Sequence, residues 1–218
     1  MLDSVIVPTI LTEQPADFSK FLQLYPTFAK RIQIDVADGG FVATQTIQPN
    51  AITQLPTGVD FDFHLMVIRP SEYVKDIVRL KPNLVIFHAE AGENLLTTMA
   101  AVKKAGIKVG VALLQRTYPG IVKQYIAAAD HVLVFAGNLG KNGGTADLLQ
   151  TEKIKLIKAI NPNCEIGWDG GINLDNVRAV AHSGVDVINV GSFIAMNPDP
   201  KAAYESLIEE GKQRGVKL

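Results

Sequence analysis

Short runs rich in valine and isoleucine alternate along this chain with longer segments whose apolar residues recur every three or four positions. The short runs predict strands at "VIVPTI" (5–10), "RIQIDV" (31–36), "DFDFHL" (60–65) and "LVIF" (84–87). Four more follow at "IKVGVALL" (107–114), "HVLVFA" (131–136), "CEIGW" (164–168) and "DVINVG" (186–191). Amphipathic helices are expected near 16–29, 71–81, 92–105, 119–129, 148–160, 173–183 and 199–213. The stretch "NAITQLP" (50–56) is expected to supply a short helix between the second and third strands. Apolar strands separated by helices imply a parallel sheet covered by helices. Eight such units predict a (β/α)₈ TIM barrel near the lower end of its size range. An open doubly wound sheet is the structural rival, but it usually has fewer units. No linker, charge block or low-complexity stretch divides residues 1–218, so one barrel domain is expected.

Composition narrows the function classes. The chain has 218 residues with 47% hydrophobic content, enough for one sizeable core. Its 21 basic and 22 acidic residues give a formal charge of −1, which speaks against nucleic acid or an anionic membrane as partner. Cys164 is the single cysteine, so no disulfide can form within the chain and a cytoplasmic setting is expected. The opening "MLDSVIVPTIL" places Asp3 and Pro8 in a short apolar run without a basic start. It reads as neither a signal peptide nor a membrane span.

Active sites of such barrels sit at the C-terminal mouth, so the strand ends carry the candidate chemistry. Gln33 and Asp35 lie two apart and share a face of the second strand. The third strand ends with His64 and Met66, the fourth with His88 and Glu90, and the seventh with Asp169, Gly170 and Gly171. Gly191 and Ser192 end the eighth. Asp35, His64 and Asp169 form a set that can hold a divalent cation, since oxygen and nitrogen donors suit Zn²⁺, Mn²⁺ or Fe²⁺. Asp62 shares a face with His64 and is expected either to orient its imidazole or to form a buried pair within the barrel. "DGGIN" and "VGSFIA" each read as a strand end, a glycine turn and a helix, a device whose backbone amides bind phosphate. Gly143 and Gly144, in "GGTAD" (143–147), can add amides from the sixth loop. Trp168 is expected to fill core space. His131 and His182 are assigned no role at the mouth. For His88 a structural hydrogen bond is expected, with substrate contact or ligation as alternatives.

Several of these motifs together resemble the ribulose-phosphate 3-epimerase family, whose members are metal-dependent (β/α)₈ barrels. "VPTIL" resembles the family's opening Pro-Ser-Ile-Leu, with Thr9 for the serine. "IDVADGGFV" is similar to its Asp-Val-Met-Asp-Gly-x-Phe-Val, and "DFHLMV" to its Asp-Val-His-Leu-Met-Val. "FHAEA", "GVAL", "DGGIN" and "VGSFI" follow in order. The resemblance implies a ribulose-phosphate-binding barrel that interconverts D-ribulose 5-phosphate and D-xylulose 5-phosphate. It implies metal ligands at Asp35, His64 and Asp169, with Gln33 where the family has histidine. Asp35 and Asp169 would also exchange the C3 proton. Thr9, Met66, Gly143, Gly144, Gly170, Gly171, Gly191 and Ser192 would contact substrate or its phosphate. A small-molecule sugar phosphate is the implied partner, and the resemblance leaves room for a homo-oligomer.

Departures from the family pattern bear on substrate choice. Ala37 replaces a methionine, and "VATQ" replaces Val-Pro-Asn. The sixth loop becomes "NLGKNGGTAD", one residue longer, and brings in Lys141. A six-carbon substrate such as allulose 6-phosphate is therefore one alternative. A sugar-phosphate-binding barrel without full turnover is another, favoured by Gln33 and opposed by the two aspartates. A decarboxylase or aldolase on a related barrel is disfavoured, because "QIDVADGG" has no lysine at the required position.

Overall fold

A computed structural model describes residues 4–141 and 143–213. Eight parallel strands close into a barrel in chain order, β1 Val5–Ile10, β2 Arg31–Ala37, β3 Asp60–Met66, β4 Leu84–His88, β5 Lys108–Leu113, β6 His131–Phe135, β7 Glu165–Asp169 and β8 Val187–Val190. Closure comes from β8 pairing with β1, Val7 opposite Asn189. The chain thus forms a (β/α)₈ TIM barrel, as the strand–helix alternation predicts.

Helices α1 Pro15–Leu24, α2 Val74–Leu80, α3 Leu95–Lys104, α4 Lys123–Ala128, α5 Glu152–Ile160, α6 Val177–Ala181, α7 Ser192–Ala195 and α8 Pro200–Lys212 supply the outer layer. Several are shorter than their apolar periodicity suggests, and the cause is local. Helix α1 gives way to a 3₁₀ turn at Tyr25–Thr27, where Pro26 has no amide hydrogen to continue it. Helix α2 is preceded by a 3₁₀ turn at Pro70–Tyr73 and stops at Lys81, whose φ of 50° is left-handed. The helix expected over 50–56 does not form. One 3₁₀ turn at Pro49–Ala51 takes its place, and no α-helix lies between β2 and β3. Caps fix the helix starts where the sequence supplies them. Asn94 accepts from the Leu96 amide at 3.0 Å before α3, and Asp199 from Ala202 at 3.0 Å before α8.

Strand alternation sorts side chains into two cores. Ile32, Ile34 and Val36 of β2, with Phe61, Phe63 and Leu65 of β3, face the helices in the main apolar layer. Trp168 is fully buried in the same layer, as expected for a filler. Residues of opposite parity face the barrel axis, where Leu84, Ile86, Ala112 and Leu133 form a small separate cluster. Polar groups occupy the axis at the two ends of the strands.

At the N-terminal end Arg31 bonds Asp62 at 2.6 Å and grips Glu165 with two bonds of 2.9 and 2.8 Å. Asn83 donates to Asp62 at 2.9 Å, and His131 Nδ1 lies 2.7 Å from Glu165. Asp62 therefore does not orient His64. It belongs to this lower layer, in register with Gln33 of β2 rather than with Asp35. The alternative of a buried pair is the one the structure adopts.

Candidate active site

The upper end of the axis is built from inward side chains of four strands. Gln33 and Asp35 come from β2, His64 from β3, His88 from β4 and Asp169 from β7. Asp35 is 7% exposed, while Gln33 and His88 are fully buried. Gln33 lies between the two acids, its Nε2 donating to Asp35 Oδ1 at 2.9 Å and to Asp169 Oδ2 at 2.7 Å. His64 Nδ1 sits 3.0 Å from Asp35 Oδ1 and 3.7 Å from Asp169 Oδ2. Two carboxylates thus share one imidazole and one neutral amide.

This crowding controls protonation. Burial, reinforced by the neighbouring Asp35 charge, pushes the Asp169 carboxyl up to about 7, against the pull of His64 and Gln33. Burial opposes charge on His64, but the hydrogen bond to Asp35 and the charges of both acids outweigh it and raise its pKa. His88 is the reverse case. Burial lowers it to about 4, so it is neutral at physiological pH.

His88 holds the far side of the His64 ring, with its Nε2 2.8 Å from His64 Nε2. Its other nitrogen lies 3.4 Å from Glu90, which in turn accepts from the Leu114 amide at 3.0 Å and from Thr117 Oγ1. The rings of Phe41 and Phe135 flank it, with centroids at 4.9 and 6.3 Å. The orienting partner of His64 is therefore His88, and the expected structural hydrogen bond falls on the site itself.

Asp35, His64 and Asp169 each offer one donor atom, and these lie within 4.8 Å of one another. Two carboxylates and one imidazole converging at that range can hold a divalent cation. The state of Gln33 fits the same reading. Its Nε2 bridges two acids that an ion would otherwise neutralise, and its buried Oε1 has no partner among the described residues. Turned about its last bond, the amide would offer that oxygen to the same place.

Above this floor opens a mouth of about 520 Å³, its open top included. Asp35, His64 and Asp169 line it, together with Thr9, Met66, Gly143, Gly170, Gly171, Gly191 and Ser192. Gly144 is set back from the wall, and a Cβ there would lie 3.0 Å from Asn138 Nδ2. Gln33 lies below the mouth rather than in its wall. Lys141 and Asn138 reach the mouth from the loop after β6. That loop is latched to the loop after β2, where Thr44 Oγ1 donates to the Gly140 carbonyl.

The glycines after β7 have a packing reason beside any ligand. A Cβ on Gly137 would lie 2.6 Å from Gly170 Cα, and one on Gly171 would strike the Ala146 backbone. The loops after β6 and β7 touch backbone to backbone, which only glycine permits. Sequence reasoning passed over Gly137, Phe135 and Asn189. Asn189 is a lone polar residue in the otherwise apolar "VINV", and that break was the available signal.

Over residues 5–195 the chain matches the ribulose-phosphate 3 epimerase family. It is 31% identical over 209 residues to the ribulose-phosphate 3-epimerase of Helicobacter pylori, covering 93% of this chain and 95% of that one. Among solved structures it is similar to orotidine 5′-phosphate decarboxylase of Pyrococcus horikoshii. That pair has a TM-score of 0.67 and 15% identity, over 96% of this chain and 100% of the other. The 3-hexulose-6-phosphate synthase of Salmonella typhimurium has a TM-score of 0.65 and 18% identity, over 94% and 97%. The two structural likenesses show the fold alone.

Proposed function

This chain belongs to the ribulose-phosphate 3-epimerase family, and from that premise we propose that it interconverts D-ribulose 5-phosphate and D-xylulose 5-phosphate by proton transfer at C3. The observation that carries the reading is the pair of acids. Asp35 and Asp169 stand on β2 and β7, with β1 and β8 between them in the barrel. Both reach His64 and Gln33 at the floor of one mouth.

Inversion at C3 requires a base on one face of the carbon and an acid on the other. Asp35 takes the proton in one direction, and Asp169 returns one from across the site. In the reverse direction the roles exchange. His64 and Gln33 position both carboxylates, and His88 fixes the ring of His64. Asp35, His64 and Asp169 would hold the divalent cation, with Gln33 Oε1 as a fourth donor. Such an ion contributes Lewis-acid stabilisation of the charge that develops as the C3 proton leaves. The identity expected is Zn²⁺, Mn²⁺ or Fe²⁺, with the amide favouring the harder ions.

Backbone amides near Gly170, Gly171, Gly191 and Ser192 would hold the phosphate, with Lys141 beside them. Their binding energy fixes the register of the reacting carbon. Met66 and Phe135 line the mouth beside them. The test is a product assay of the metal-loaded protein with ribulose 5-phosphate and, in parallel, allulose 6-phosphate. Turnover of the five-carbon sugar with higher kcat/KM supports the reading. A preference for the six-carbon sugar replaces its substrate, and no turnover of either removes it.

A further inference from the structure

Asn189 is a buried polar group at the mouth that the proton-transfer scheme leaves without a task. It is 2% exposed, and neither its Nδ2 nor its Oδ1 has a partner among the described residues. A buried amide without partners destabilises the fold that contains it, so its place asks for a reason. Its position is well defined. Asn189 lies on β8 in register with Asp169 of β7 on one side and Val7 of β1 on the other. It lines the same mouth as Asp35 and Asp169, and it stands two residues before Gly191 and three before Ser192.

That order along the wall matches an order along a substrate. The reacting C3 must lie between Asp35 and Asp169, and the phosphate must lie at the glycine turns beyond β7 and β8. C4 and C5 lie between them in a ketopentose 5-phosphate, and of the two only C4 carries a hydroxyl. We propose that Asn189 is a specificity-determining residue whose carboxamide binds the C4 hydroxyl of the sugar phosphate. The assignment rests on the C3-epimerase reading above. A hydroxyl is both donor and acceptor, and so is an amide, whereas the neighbouring carboxylates when ionised can only accept. The bound sugar would thus satisfy an amide that has no partner in the free protein. A site built this way rejects an analogue that lacks the hydroxyl, because the amide is then left buried and unpaired.

The test compares ribulose 5-phosphate with its 4-deoxy analogue, reading C3 proton exchange in D₂O for metal-loaded wild type and Asn189→Leu. Wild type is expected to favour the natural sugar by about 10- to 100-fold in kcat/KM, the effect of one buried hydrogen bond left unmade. Asn189→Leu is expected to lose that preference by slowing on the natural sugar and not on the analogue. Its Tm should hold or rise, since two unpaired polar atoms leave the interior. Equal kcat/KM for the two sugars in wild type overturns the assignment without any variant. So does an Asn189→Leu protein that slows equally on both sugars and melts lower, the behaviour of a structural amide. No exchange by wild type on either sugar instead removes the C3 reading, and the assignment with it.

Discussion

The two ends of the barrel axis bury similar side chains to opposite effect. At the N-terminal end Asp62 and Glu165 meet Arg31 within 2.9 Å, with Asn83 and His131 completing the set. At the C-terminal end Asp35 and Asp169 meet an imidazole and an amide, and among the described residues buried amide atoms of Gln33 and Asn189 lack partners. Burial works against the Glu165 charge, but hydrogen bonds from His131 and Arg31 hold its carboxyl well below the usual range. Nothing comparable is at hand for Asp169, which burial and Asp35 push up to about 7. The lower layer sets both its acids against the Arg31 cation, although burial still raises the Asp62 pKa and His131 Nε2 has no partner among the described residues. The upper layer is left short of positive charge, which suits a bound cation.

Substitutions at the two ends should therefore separate activity from stability. Asp35→Asn and Asp169→Asn each remove a proton-transfer group, with an expected loss in kcat of at least about 10²–10⁴-fold. In the metal-free protein, Asp169→Asn should leave Tm unchanged or raised, because it relieves like-charge crowding. Arg31→Met is expected to do the converse. It leaves the buried Asp62 carboxylate without its cation, which costs about 3–5 kcal/mol in chemical denaturation. Activity per folded molecule should survive. A variant that loses both properties together would erase the distinction between the two ends.

Gln33→His sharpens the account of the upper end. It replaces a weakly basic oxygen with an imidazole, and Zn²⁺ is expected to bind about 10-fold more tightly, a change of the size that neighbours of metal ligands produce. Metal titration monitored by competition with a chelator reads this directly. An unchanged affinity would make Gln33 a hydrogen-bonding spacer.

The smallest effect is a pair of opposite pH slopes. Glu165 has a depressed pKa when folded, so its contribution is present above its unfolded value of 4.5 and is lost as pH falls below it. Asp169 has a raised pKa when folded, so in metal-stripped protein its contribution is present below its unfolded value of 3.8. It is lost as pH rises through about 7. Melting curves of the stripped protein across this range should show both limbs. Arg31→Met should flatten the acid one and Asp169→Asn the neutral one.

Much of this was legible in the sequence. The eight strands stand out because each is a short β-branched run bounded by turn residues, and their positions match the barrel closely. Helix ends were less legible, because Pro26 breaks the segment 16–29 from within and the 3₁₀ turn that starts at Pro70 takes the first residues of 71–81. Parity placed Asp35 and His64 on inward faces, yet it could not tell layers apart. Asp62 shares parity with His64, and only the β2–β3 register puts it beside Arg31. Asn189 was hidden for a related reason. Its neighbours are Asp169, set beside it by the β7–β8 register, and Val7, which barrel closure alone brings near. The glycine turns were read for their amides, while their backbone contact across the β6 and β7 loops needed coordinates.

The central claim is that Asp35 and Asp169 exchange the C3 proton of a ketopentose 5-phosphate across one site. Incubating metal-loaded protein with ribulose 5-phosphate in D₂O, and following the C3 position by NMR, tests it most directly. The account predicts xylulose 5-phosphate carrying deuterium at C3, with formation suppressed in Asp35→Asn and Asp169→Asn. Near-normal exchange in both variants, or a wild-type protein that leaves the C3 hydrogen in place, would contradict it.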